Sequence, residues 1–172
     1  MFIVTMHDVK NIQKLKEAGA DAIIIGVEGF SIRQSLAIAL EDVKEMVLLC
    51  HAQHLKCYVN ALRFFMEDEL DLLKEFLKTC KEADVDGIYY SDEGVFYEAQ
   101  KHGMESLLIY QPETLITNHM DIAFYLELGI QSVSLAHECS LEEILQMTKQ
   151  NKEVEILISG YFSILYSRRM LV

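Results

Sequence analysis

Tryptophan is absent from this 172-residue chain, proline occurs once, and no Cys-x-x-Cys pair or Gly/Ser/Pro-rich tract is present. Each absence excludes something. Without a low-complexity tract there is no flexible linker, so the chain reads as one domain. The four cysteines, Cys50, Cys57, Cys80 and Cys139, have spacings that fit neither a zinc ribbon nor a dense disulfide framework. No run approaches the roughly 18 to 20 apolar residues that span a bilayer, and MFIVTMHDVK has no basic stretch ahead of an apolar one. A cytoplasmic protein without a membrane partner is the expectation. Positive charge is scarce too: 15 Lys and Arg stand against 27 Asp and Glu, for a formal net charge of -12. That balance gives no global attraction to nucleic acid or an anionic membrane and leaves room only for a local basic patch.

Apolar residues, by contrast, make up 51% of the chain, enough for a substantial core at this length. They come in a repeating order. EAGADAIIIGVE, EADVDGIYYSDE, KHGMESLLIYQP, LELGIQSVSLAHE and NKEVEILISG each run from a helix end, through a Gly or a short polar break, into a β-branched burst that stops on a polar residue. Gly accepts the left-handed conformation that ends helices, and an unbroken apolar burst suits a strand buried on both faces. The spacing predicts strands over 2–6, 22–27, 56–61, 87–91, 106–110, 132–136 and 154–159. Helices are expected over 8–18, 40–54, 69–83, 95–102 and 120–128, with one more capped by Ser140, whose capping-box partner is Glu143. Cys50 and Cys80 fall on helical apolar stripes and Cys57 in a strand, where cysteine acts as a small hydrophobe. Cys139 follows the sixth strand and could reach the ligand face.

Seven βα units fit a doubly wound sheet or a barrel one unit short. A complete barrel needs about 250 residues. The short crossovers favour an incomplete TIM-type (β/α) barrel of about seven parallel strands, closed by the C-terminal segment or by a partner. In either fold, ligands sit beyond the carboxyl ends of the strands. That rim collects Thr5, His7, Glu28, Arg33, Asn60, Arg63, Ser91, Asp92, Gln111, His137, Glu138 and Ser159. Four readings stay open for it. His7, Glu28, Asp92, His137 and Glu138 are ligand types for a metal, although no tight spacing supports one. Glu28 with Glu138, or Asp92 with His137, would suit acid–base catalysis if burial separated their pKa values. Arg33 and Arg63 would grip a phosphate or carboxylate, oriented by Glu28 or Asp92. Otherwise these residues are solvated caps and salt bridges, and the SDEG run from Ser91 to Gly94 reads most simply as a helix N-cap. No nucleophile motif stands out.

GADAIIIGVEGFSIR, YYSDEGVFYEA, LITNHMDIAFYLELGIQSVSLAHECSLEEI and the tail EILISGYFSILYSRRMLV together resemble peptidase family U32, the collagenase-like peptidases. The resemblance spans nearly the whole chain and implies a barrel-like N-terminal domain, here residues 1–172, cut short at its C-terminal end. It carries the label of peptidase. It also implies participation in hydroxylation of tRNA, ribosomal RNA or ubiquinone, often with a cysteine-held iron–sulfur cluster and sometimes as paired subunits. The tail retains Glu155 and Gly160 of the family signature, but Ser163 and Met170 stand where the signature has cysteine, and neither replaces a thiolate. Arg168 stands in place of Gly, while Tyr166, Ser167 and Arg169 match. The resemblance therefore implies no cofactor and no metal in this chain. It implies a divergent or truncated barrel serving an RNA-modifying assembly, with a second copy or a related family subunit as partner and RNA or peptide as substrate. A hydrolase using the rim carboxylates and a dimerisation module are the alternatives. Glu28, Asp92, His137 and Glu138 are the catalytic candidates, and Arg33, Asn60, Arg63, Gln111, Glu155 and Arg169 the binding candidates.

Overall fold

A computed structural model describes residues 1–160. Its strands are β1 (Ile3–Thr5), β2 (Ala22–Val27), β3 (Ala37–Ile38), β4 (Lys56–Ala61), β5 (Gly87–Tyr90), β6 (Leu108–Tyr110), β7 (Ser132–Ser134) and β8 (Val154–Glu155). Between them lie α1 (Ile12–Glu17), α2 (Val43–Ala52), α3 (Leu70–Ala83), α4 (Glu93–Gln100), α5 (His119–Glu127) and α6 (Leu141–Met147). All the strand pairs are parallel, in the order β1-β2-β4-β5-β6-β7-β8, with β3 added beside β2. Apart from β3, spatial order follows chain order without reversal. A doubly wound sheet would reverse at a switch point, so the fold is the partial barrel. Seven strands curl into a half-barrel, and among the described residues β1 and β8 are its two edges.

The central strands β2, β4, β5, β6 and β7 are buried on both faces, as their apolar bursts require. Period-2 alternation divides their side chains between two layers. Ile23, Ile25, Cys57, Val59, Ile88, Tyr90 and Val133 point outward into the main core with Val43, Val47, Cys50, Phe76, Leu77 and Cys80 of the helices. Ala22, Tyr58, Leu62, Tyr89 and Ile109 form a smaller inner cluster, flanked by Ile3, Ile24 and Ile32. The three cysteines at positions 50, 57 and 80 are fully buried as small core residues. Helix ends follow the turn chemistry of the sequence: Gly19 at φ +99 and Gly129 at φ +88 occupy the conformation that a side chain would disfavour. Asp84 takes the same role after α3, at φ 60.

Two segments depart from the spacing-based reading. The stretch after β2, expected to be irregular, leads into β3, which pairs Gly26 with Ala37 and Val27 with Ile38. A two-residue strand is too short to leave a periodic signal. Gly26 admits it, because a Cβ there would lie 2.7 Å from the Leu36 carbonyl oxygen. The last strand, expected over 154–159, stops at Glu155, and Ile156, Leu157 and Ile158 are 45%, 45% and 74% exposed. Its partner β7 ends at Ser134, which pairs with Glu155, and among the described residues β8 has no second neighbour. Among the described residues no helix is long and apolar enough to cross a membrane.

Candidate functional site

The half-barrel encloses a cavity of about 670 Å³ lined from both edges, by Met1 to Val4 on the β1 side and by Lys152 to Ser159 on the β8 side. Its wall is built by the inward positions of the strands. Tyr58 on β4 and Tyr89 on β5 meet edge to face, with ring centroids 5.9 Å apart at 75°. Gly87 makes room for this, since a Cβ there would stand 2.6 Å from the Tyr58 ring. Ser132 and Ser134 face inward from β7, and Gln111 closes the wall at the end of β6.

Glu155 on β8 lies within this cavity. Its Oε2 accepts a hydrogen bond from the Tyr89 hydroxyl at 2.7 Å and its Oε1 one from Ser132 Oγ at 3.2 Å. Burial pushes the Glu155 carboxyl above the ordinary range, and the two hydroxyl donors offset this only in part. Burial likewise drives the Tyr89 hydroxyl far up, with the Glu155 charge adding to it. Tyr58 is pushed up to about 12, by burial first and then by Glu155 and Asp86. Both tyrosines are therefore neutral donors at physiological pH.

The rim candidates divide into separate groups. Ser31 Oγ accepts from the Val27 N–H at 2.6 Å and donates to the Asn60 carbonyl at 2.5 Å. Asn60, only 2% exposed, donates from Nδ2 to the Ile32 carbonyl at 3.0 Å, and its Oδ1 accepts from the Leu62 N–H at 3.0 Å. Together they fasten the loop after β2 to β4. Arg33 forms an ion pair with Glu113, which ties that loop to the one after β6. Both partners hold positive φ, 56° and 71°, a conformation uncommon for residues with side chains. The His137 N–H donates to the Glu113 carbonyl at 3.3 Å, joining the loop after β7 to the same cluster. Arg63 pairs with Glu69 at 2.5 Å, and its guanidinium lies 5.1 Å from the centre of the Phe65 ring.

Asp92 commits both carboxylate oxygens to backbone N–H groups: Oδ1 to Gly94 at the start of α4 and Oδ2 to Phe65, each at 2.8 Å. It caps the helix and anchors the preceding loop. Glu28 and Glu138 are exposed and His137 is half-buried. Gln111, Glu155 and Ser159 line the cavity. Arg169, Ser163 and Met170 lie outside the described residues. Cys139 sits with Sγ 3.9 Å from the Ile116 carbonyl, and burial, then Glu143 and Glu138, push its thiol up, which disfavours a thiolate nucleophile.

Among the described residues no three His, Cys, Asp or Glu side chains converge to hold a metal ion. The cysteine set suits an iron–sulfur cluster no better, since Cys50, Cys57 and Cys80 are sealed between sheet and helices. Sequence reasoning missed Tyr58, Ser132, Ser134 and Glu113. Alternation could have found the first three: Tyr58 precedes Asn60 by two positions, and QSVS puts serine on every inward position of β7.

A model of peptidase family U32 matches residues 7–172. The chain belongs to this family. It is 30% identical over 172 residues to tRNA hydroxylation protein P2 of Bacillus subtilis, covering 99% of this chain and 55% of that protein. It is 26% identical over 156 residues to the 23S rRNA 5-hydroxycytidine C2501 synthase of Escherichia coli, covering 87% of this chain and 22% of that one. The chain thus spans about half or less of the length of these U32 relatives. Among solved structures, the U32 peptidase Mk0906 superposes with a TM-score of 0.68 at 14% identity, over 91% of this chain and 67% of the other. At that identity the likeness concerns the fold, and it places the half-barrel in the U32 architecture.

Proposed function

We propose that this chain supplies the substrate-binding half-barrel of an RNA-modifying assembly of the tRNA hydroxylation kind and does not act alone as a peptidase. The observation that carries this reading is the 30% identity to a tRNA hydroxylation protein over 99% of the chain. Two features of the fold support it. The rim carboxylate best placed for catalysis, Asp92, has both oxygens engaged by backbone N–H groups, and Glu28 and Glu138 are solvated. The concave, polar and aromatic surface lies instead in the lumen, as expected of a site that binds a small group.

The charge of the chain also fits an assembly. RNA affinity comes largely from Lys and Arg on phosphates, and a net charge of -12 gives no long-range pull toward RNA. The phosphate backbone is then held by another subunit, a second copy or a related member of the family, working in the cytoplasm. The edges β1 and β8, which do not pair with each other among the described residues, are where such a subunit would complete the barrel. The test is nucleoside mass spectrometry of tRNA and ribosomal RNA from cells in which the gene is deleted. Loss of a nucleoside one oxygen heavier than its parent is expected. An unchanged nucleoside profile, together with peptide cleavage by the purified protein, would overturn the reading.

A further inference from the structure

The lumen carboxylate has no countercharge among the described residues. Its only hydrogen-bond partners there are the neutral hydroxyls of Tyr89 and Ser132. The ion pairs of the described residues all form elsewhere. Lys56 and Lys152 border the same cavity, but both are exposed and neither pairs with Glu155. Half-burying a carboxylate without a cation is destabilising, and a lumen that needed only filling would carry another aliphatic side chain, as it does at Ile24 and Ile109. An anion that no described residue compensates, in a cavity open among those residues, is a recognition element.

The surroundings specify that partner. Tyr58 and Tyr89 line the cavity beside the carboxylate, and aromatic faces attract cations through the ring quadrupole. Glu155 has engaged one acceptor position on each oxygen, and an ionised carboxylate has others free to receive N–H donors. Among the described residues the cavity opens between β1 and β8, which gives a ligand an entry from the side. We propose that the lumen binds an organic cation, an ammonium or guanidinium group, on Glu155 with the Tyr58 and Tyr89 rings as its walls. This inference goes beyond the RNA-modifying reading and does not depend on it.

Isothermal titration of the purified full chain at pH 8 with N-acetyl-arginine methylamide, its citrulline counterpart and n-butylamine tests the proposal. The citrulline probe has the shape of the arginine probe without the charge. At least one cation should bind. If the arginine probe binds, its citrulline counterpart should bind on the order of thirtyfold more weakly or not at all. Glu155→Gln should remove the binding while circular dichroism and the melting transition show a folded protein, and Tyr89→Phe, which keeps the ring, should weaken it less. Equal binding of the charged and uncharged probes, no binding of either cation, or undiminished binding by Glu155→Gln would each overturn it.

Discussion

Replacing Glu155 by glutamine should stabilise the protein at pH 8 and leave it little changed near pH 4. Desolvation raises the Glu155 carboxyl above its ordinary value, and the hydrogen bonds from Tyr89 and Ser132 only partly offset it. A carboxyl whose folded pKa is raised binds its proton more tightly in the native state than in the unfolded one. Its contribution to stability is therefore complete below the unfolded value and is lost as the pH rises through the folded value. Glutamine has nearly the same shape, and its amide oxygen can still accept from a hydroxyl, but it carries no charge to desolvate. A gain on the order of 1 kcal/mol, the usual size of a single substitution's effect, is expected above neutrality. For a chain of this size that is a rise of roughly 2–4 °C in melting temperature. Urea unfolding of both proteins at pH 4 and pH 8 measures it. The reasoning fails if Glu155→Gln is less stable than the parent at pH 8, or if the parent gains on the variant as the pH rises.

Other substitutions probe the framework around the lumen. Asn60→Ala removes the bonds to the Ile32 carbonyl and from the Leu62 N–H in a site only 2% exposed. It should cost about 2 kcal/mol in urea unfolding, and a loss below about 0.5 kcal/mol would contradict the assigned role. Gly87→Ala brings a Cβ to 2.6 Å from the Tyr58 ring, so a loss of about 1–3 kcal/mol is expected. Combining it with Tyr58→Ala should reveal coupling between the two sites, and strict additivity would place the strain elsewhere. Asp92→Ala strips the cap from α4 and leaves the Phe65 N–H without its acceptor, for a loss of about 2 kcal/mol on chemical denaturation. An unfolding curve identical to the parent's would argue that Asp92 is not holding these loops.

Much of the barrel could be read from the chain because each unit repeats the same punctuation. The bursts AIIIGV and GIYY, buried on both faces, announce parallel strands, and the Gly residues after α1 and α5 end helices for a conformational reason. What escaped notice was weak in period or depended on distant neighbours. β3 has two residues, and it exists because Gly26 lets the Leu36 carbonyl approach. The run after Glu155 looks like a strand in isolation, but the partner strand β7 ends at Ser134, opposite Glu155.

The candidate site was legible in part, for the same reasons. Reading strand endings locates the rim and also selects Gln111 and Ser159, while the family resemblance selects Glu155, and all three line the lumen. It cannot reveal that Asp92 spends both oxygens on backbone groups, or that Arg33 meets Glu113 from a loop 80 positions away. The lumen itself lies on the inward alternation of the strands. Tyr58 and Tyr89 become a wall of the cavity once β4 and β5 are paired in register, with Asn60 opposite Tyr89.

The most direct test of the account is complementation of the gene deletion, read by nucleoside mass spectrometry of cellular RNA. If the chain acts in RNA modification through its lumen, the parent protein restores the missing hydroxylated nucleoside, and Glu155→Gln does not, although it accumulates to at least the same level. Full restoration by Glu155→Gln, or a profile that the deletion never altered, would contradict the account.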